Sequence, residues 1–170
     1  MKVKEILEKA LEFEEEGYDY YMKIASQVAN PLAKRLFQSL AFQEKKHKEV
    51  IKDIYEAHNF DLVKDYKSDP EAIERELKDL FSHLEESEKT IPLDHIEGYR
   101  LAMDMEKRGY EMYRKFYQEA QSEAERKFFQ ALMNEEREHL NSLDNVYRFL
   151  TGTEEWYAEE ESKVWNWMNT

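Results

Sequence analysis

The chain has 170 residues, 41% of them hydrophobic, enough for one domain with its own core. It has no cysteine, which excludes disulfides, a thiolate nucleophile and every metal site built on thiolates. Its net charge of −13 repels a phosphate backbone and attracts cations, so no nucleic-acid partner is expected. The opening MKVKEILEKALEFEEE has no apolar core of a secretory signal, and no run of about 18 apolar residues follows, so a cytoplasmic protein with no membrane contact is expected.

With 4 Gly and 3 Pro, and abundant Glu, Lys, Leu and Ala, the composition favours long helices. The first helix is predicted over about 2–29, with a core stripe Val3, Leu7, Ala10, Glu14, Gly17, Tyr21, Ile24, Val28 at alternating steps of four and three. Asn30-Pro31 breaks it, with Pro31 placed to open a second helix over about 31–58. That helix carries Ala33, Phe37, Leu40, Glu44, His47, Ile51, Ile54 and His58. Asp69-Pro70 reads as the cap and first residue of a shorter helix with the stripe Ile73, Leu77, Leu80, Leu84.

Pro92 punctuates again, and a long helix is predicted over about 93–120 with Tyr99, Ala102, Glu106, Gly109, Tyr113, Phe116 and Ala120 in line. Ser122 caps the next, over about 123–150, with Phe129, Leu132, Glu136, His139, Leu143, Val146 and Leu150. Gly152 suits a helix C-terminus. Thr153 can cap a last helix over about 153–168 with Trp156, Val164 and Trp167 on one side, packed on the bundle end or forming a homodimer interface. The expected architecture is all-α: a single domain over 1–170, with hairpin 1 over about 2–58, a crossover over 59–91 and hairpin 2 over about 93–150. Short links within each hairpin and one long crossover give the connectivity of a four-helix bundle.

Shifted by 92 residues, the chain matches itself without a gap. Ala10 meets Ala102, Glu14 meets Glu106, Gly17-Tyr18 meets Gly109-Tyr110, and Tyr21 meets Tyr113. Phe37-Gln38 meets Phe129-Gln130, Leu40 meets Leu132, Glu44 meets Glu136, and His47 meets His139. Two copies of a helical hairpin are thus joined in one chain.

Each copy puts one Glu on its first helix and a Glu-x-x-His on its second, EKKH and EREH, all on otherwise apolar stripes. Four carboxylates and two imidazoles in a bundle core are costly unless something neutralises them, and neither Lys nor Arg lies on those stripes. Two divalent cations would do so. On a helix, positions i and i+3 lie about 60° apart and about 4.5 Å along the axis, so each Glu and His can face one site. Carboxylate-rich sites with one imidazole per metal suit iron or manganese, with zinc a further possible occupant. The competing reading is a charged face phased wrongly, since Glu15, Glu16 and Glu135 adjoin these positions. His58 reads as a helix-end contact, and His83 and His95 as surface residues. Gly17 and Gly109 read as space kept beside the metals or as close helix packing.

FEEEGYDYY with QEKKH, and MEKRGYEMY with NEEREH, resemble the ferritin-like superfamily, and rubrerythrin-like di-iron proteins in particular, over most of residues 1–150. The resemblance implies a ferritin-like bundle holding two metal ions per chain, iron foremost, with the metal centre itself as the catalytic element. It implies Glu14 and His47 as terminal ligands of one metal, Glu106 and His139 of the other, and Glu44 and Glu136 as bridges. Tyr21 and Tyr113 match tyrosines that hydrogen-bond ligand carboxylates. It further implies reduction of hydrogen peroxide or dioxygen with electrons from a separate donor protein, in a homodimer with an oxidative-stress role. The alternative is a ferroxidase or iron-storage protein forming a large shell. Rubrerythrins usually carry an additional Glu three residues after the second terminal Glu, where this chain has Gly109, which puts a ligand switch in doubt.

Overall fold

The structure, a computed structural model, describes residues 2–152. Its helices are α1 Val3–Ala25, α2 Pro31–Ala57, α3 Ala72–His83, α4 Glu86–Lys89, α5 Ile96–Gln118 and α6 Glu123–Thr151, with a 3-10 turn at Phe60–Val63. There is no strand among the described residues. No helix among them is long and apolar enough to cross a membrane. The expected last helix, about 153–168, lies outside the described residues.

Local chemistry sets the helix ends. Asn30 caps α2, its side-chain oxygen accepting from the backbone N–H of Leu32 at 2.9 Å and Ala33 at 3.1 Å, with Pro31 in the first turn. Its amide also donates to Ile91 O at 2.6 Å, tying the end of the crossover to the α1–α2 turn. Ser122 caps α6 by accepting from Glu125 N at 3.1 Å. Gly152 ends α6 at φ 67°, where a side chain would be strained. His58 ends α2 in the left-handed region, at φ 55°, with its ring beside Tyr55. His83 and His95 are exposed, as expected.

The short helix begins later than Asp69-Pro70 suggested. Ala72 N donates to Asp69 O, and the Asp69 carboxylate pairs with Arg75, so 69–71 form a turn and Glu71 takes the cap position. Its buried face is Ile73, Leu77 and Phe81, while Leu80 and Leu84 are half-buried. Val3 is exposed at the outer end of α1.

α1 packs along α2 and α5 along α6, and the hairpins meet through α1 with α5 and α2 with α6. The apolar core falls into two clusters. One holds Tyr21, Ile24, Phe37, Leu40, Tyr99, Leu143 and Val146, and the other Leu7, Ile51, Ile54, Tyr113, Phe116, Phe129 and Leu132. The 92-residue shift exchanges Tyr21 with Tyr113, Phe37 with Phe129 and Leu40 with Leu132, so the repeat appears as approximate two-fold symmetry. The crossover breaks it: the 3-10 turn and α3 lie over α2 and α6.

Candidate metal centre

All six predicted ligands are buried on the inner stripes of the four long helices: Glu14 on α1, Glu44 and His47 on α2, Glu106 on α5, and Glu136 and His139 on α6. None is more than 4% exposed. Their donor atoms form two groups, each within 4.8 Å: Glu14, Glu44, His47 and Glu136 in one, Glu44, Glu106, Glu136 and His139 in the other. Glu44 and Glu136 belong to both. The six residues brought together by the fold are thus those the two motifs and their partner glutamates supplied.

The imidazoles face inward through Nδ1. His47 Nδ1 lies 3.3 Å from Glu14 Oε1 and 3.7 Å from Glu136 Oε1. His139 Nδ1 lies 3.3 Å from Glu44 Oε1 and 3.5 Å from Glu106 Oε2. The rings are nearly parallel, 12° apart in plane, with centroids separated by 5.9 Å. Through Nδ1, each histidine therefore meets one carboxylate of its own hairpin and one of the other.

The tyrosines cross between hairpins in the same way. Tyr113 donates to Glu14 Oε1 at 2.5 Å, and Tyr21 donates to Glu106 Oε1. Burial and the neighbouring carboxylates push both phenols well above their ordinary value, so they stay protonated donors.

The electrostatics show what the cluster lacks. Burial, then the charge of neighbouring glutamates, raises Glu44 and Glu136 well above the usual carboxyl range. Burial also opposes ionisation of Glu106, but the charge of His139 and the hydrogen bond from Tyr21 outweigh it and hold this carboxyl low. Burial alone would lower His47; the acids around it, Glu14 and Glu135, instead raise it to about 10. Glu44, Glu136 and His47 are thus all shifted toward their protonated forms. Glu14 Oε2, Glu44 Oε1, Glu106 Oε2, both Glu136 oxygens and His139 Nδ1 are buried with no hydrogen-bond partner. Such groups are rare in folded proteins, and here they converge. Hard oxygen donors with one imidazole per group fit two divalent cations of the iron or manganese kind.

Glycines make room for this layer. A Cβ on Gly17 would lie 3.1 Å from Glu44 Oε2. One on Gly109 would lie 2.4 Å from Phe13 Cζ and 3.0 Å from Glu136 Oε2. Neither has positive φ, so space rather than backbone freedom explains both. The position where rubrerythrins usually carry the additional Glu is filled by the Phe13 ring. A groove of about 650 Å³ between α1 and α5, lined by Glu16, Tyr20, Leu101, Asp104, Met105, Lys107 and Arg108, includes none of the six residues.

Sequence reasoning left two residues out. Glu135, noted only as a phase neighbour, is 4% exposed, and its Oε2 lies 2.7 Å from His47 Nε2. Tyr66, in the crossover, donates to the same oxygen at 2.7 Å. Burial disfavours the Glu135 carboxylate, yet His47 and Tyr66 more than compensate and hold it down to about 2. Glu15 and Glu16 stay exposed, so no slip of phase occurs on α1.

The profile of the rubrerythrin family matches residues 5–147. No curated protein and no solved structure matches the chain. The match covers the four long helices and the crossover except the first two residues of α1 and the last four of α6, and the buried carboxylate–histidine cluster fits the di-metal, typically iron, site of that family. The chain belongs to the rubrerythrin family, within the ferritin-like di-iron proteins.

Proposed function

We propose that the protein is a di-iron oxidoreductase that reduces hydrogen peroxide, or dioxygen, with electrons delivered by a separate donor protein. In this reading Glu14 and His47 would hold one iron and Glu106 and His139 the other, with Glu44 and Glu136, which belong to both donor groups, shared between them. Two ferrous ions would supply one electron each, enough with two protons to take one hydrogen peroxide to two waters.

The observation that carries the reading is the set of buried donor atoms without partners, arranged as two groups that share Glu44 and Glu136. A bundle core bears that cost only where a ligand offsets it. The chain's own contribution is geometric. Tyr21 and Tyr113 hold the two terminal carboxylates, the apolar clusters on either side exclude water, and Phe13 closes the space beside Gly109. The absence of cysteine fits an external electron donor, since no thiolate-held iron can be built from this chain. A homodimer in the cytoplasm completes the proposal.

Anaerobic loading with Fe(II), followed by one equivalent of hydrogen peroxide per centre, tests it. Two irons per chain and the visible absorption of an oxidised di-iron centre, discharged by a reductant and restored by peroxide, are expected. Two irons per chain with peroxide inert and dioxygen consumed, in a large shell that takes up hundreds of further irons, would replace this reading with iron storage. Retention of two tightly bound irons by Glu136→Ala would overturn the bridging assignment.

A further inference from the structure

We infer that the two metal positions are chemically unequal, with Glu135 acting as a positioning residue that makes the His47 position the tighter one. The inference rests on the di-metal reading above and adds a rank order to it. The ligands obey the two-fold repeat, but the groups behind the histidines do not. Behind His47, Glu135 Oε2 lies 2.7 Å from Nε2, and Tyr66 holds the same oxygen at 2.7 Å. The 92-residue shift carries Glu135 to Gln43 and His47 to His139. An amide thus stands where the other half has a carboxylate.

The surroundings differ as well. Gln43 is half-buried and lines, with His139, Glu135, Asp69, Pro70 and Ile73, a small pocket of about 10 Å³, room for about one water. Tyr66 belongs to the crossover, and among the described residues no tyrosine is hydrogen-bonded to Gln43 or to His139 in the same way. A carboxylate accepting from Nε2–H fixes the imidazole with its Nδ1 lone pair inward and strengthens it as a donor, an effect of about 10–100-fold in metal affinity. An amide oxygen or a water at His139 is a weaker acceptor. The ring orientation at His47 is therefore set by a hydrogen-bonded chain, Tyr66 to Glu135 to His47, and among the described residues no such chain reaches His139.

Anaerobic Co(II) titration against a competing chelator, followed by the visible bands of the bound ion, reads both positions without turnover. The native chain should bind two Co(II) in two steps separated by about 10–100-fold. Glu135→Gln, which copies the Gln43 side, should weaken the tight step alone and bring the two together. Gln43→Glu should tighten the weak step. The double exchange E135Q/Q43E should restore two separated steps, which a merely structural role for Glu135 would not produce. Helical circular dichroism confirms folding of each variant. Two equal steps in the native chain, or unchanged constants in E135Q, overturn the inequality and leave the di-metal reading standing. No stoichiometric Co(II) in the native chain overturns the di-metal reading itself.

Discussion

Tyr113 on α5 donates its phenol hydrogen to Glu14 on α1, 99 residues away and in the other hairpin. The mirror contact runs from Tyr21 on α1 to Glu106 on α5. Each half of the repeat therefore orients the terminal carboxylate of the other, and neither hairpin contains a finished half-site. Tyr113→Phe leaves the ring packing against Phe129 in place and removes one donor from a buried carboxylate. A cost of about 1–3 kcal/mol in folding stability and about 10–100-fold in affinity for the metal beside Glu14 is expected. Tyr21→Phe should match it within a few-fold at the other position. Urea unfolding and chelator competition measure both, and wild-type affinity in either variant would remove the tyrosine from the site.

Gly109 argues against a fifth carboxylate swinging onto the centre. Alanine in a helix interior ordinarily gains about 1 kcal/mol over glycine. Here the added Cβ would meet the Phe13 ring at 2.4 Å and Glu136 Oε2 at 3.0 Å. Overpacking of that kind costs about 1–3 kcal/mol, so Gly109→Ala should be destabilising on balance. Pairing it with Phe13→Leu should recover most of the loss. A Gly109→Ala chain as stable as the native one in thermal unfolding would mean that the ring moves freely and that the position is open to a longer side chain.

The ligand set was legible in the sequence because two independent copies chose the same phase. A single Glu-x-x-His in so acidic a chain says little; two of them, each 30 residues after a glutamate on an apolar stripe, leave one register. Glu135 escaped the same logic. It sits one residue off the inner stripe, and its oxygen is held by His47 and by Tyr66 of the crossover. A segment without helical periodicity gives no sign of which face it will cover. The late start of α3 has a similar origin: Arg75 takes the carboxylate that would have capped a helix at Asp69.

Glu136 opposes folding for the sake of the site. Both its oxygens are buried without a partner, and burial with the surrounding charge raises its carboxyl well above the ordinary range. Replacing a buried ionisable group by a neutral one of like volume is often stabilising, by about 1–4 kcal/mol. Glu136→Gln should therefore raise the melting temperature of the metal-free chain at neutral pH while losing the second bound metal. The opposite result, a metal-free variant that melts lower, would mean that the carboxyl proton makes a bond worth more than the burial costs.

The same groups set the pH response of the metal-free protein. Glu44 and Glu136 hold their protons more tightly folded than unfolded, so the stability they contribute declines as pH rises above the ordinary carboxyl range. His47, raised from 6.5 to about 10, contributes stability that is fully present below about 6.5 and lost as pH climbs toward 10. Glu106 and Glu135, both lowered, act in the other direction: their contribution is present above about 4.5 and fades as pH falls, for Glu135 through about 2. The metal-free chain should thus be most stable near about pH 4.5–5 and lose melting temperature steadily from there to about pH 10. Bound divalent cations supply the positive charge that protons otherwise provide, and their binding releases those protons. The metal-loaded chain should accordingly keep its melting temperature across neutral and mildly alkaline pH, and the gap between loaded and metal-free forms should widen as pH rises. Calorimetric scans of both forms from pH 5 to 10 measure that gap, and a constant separation would mean that the buried protons are not exchanged for metal.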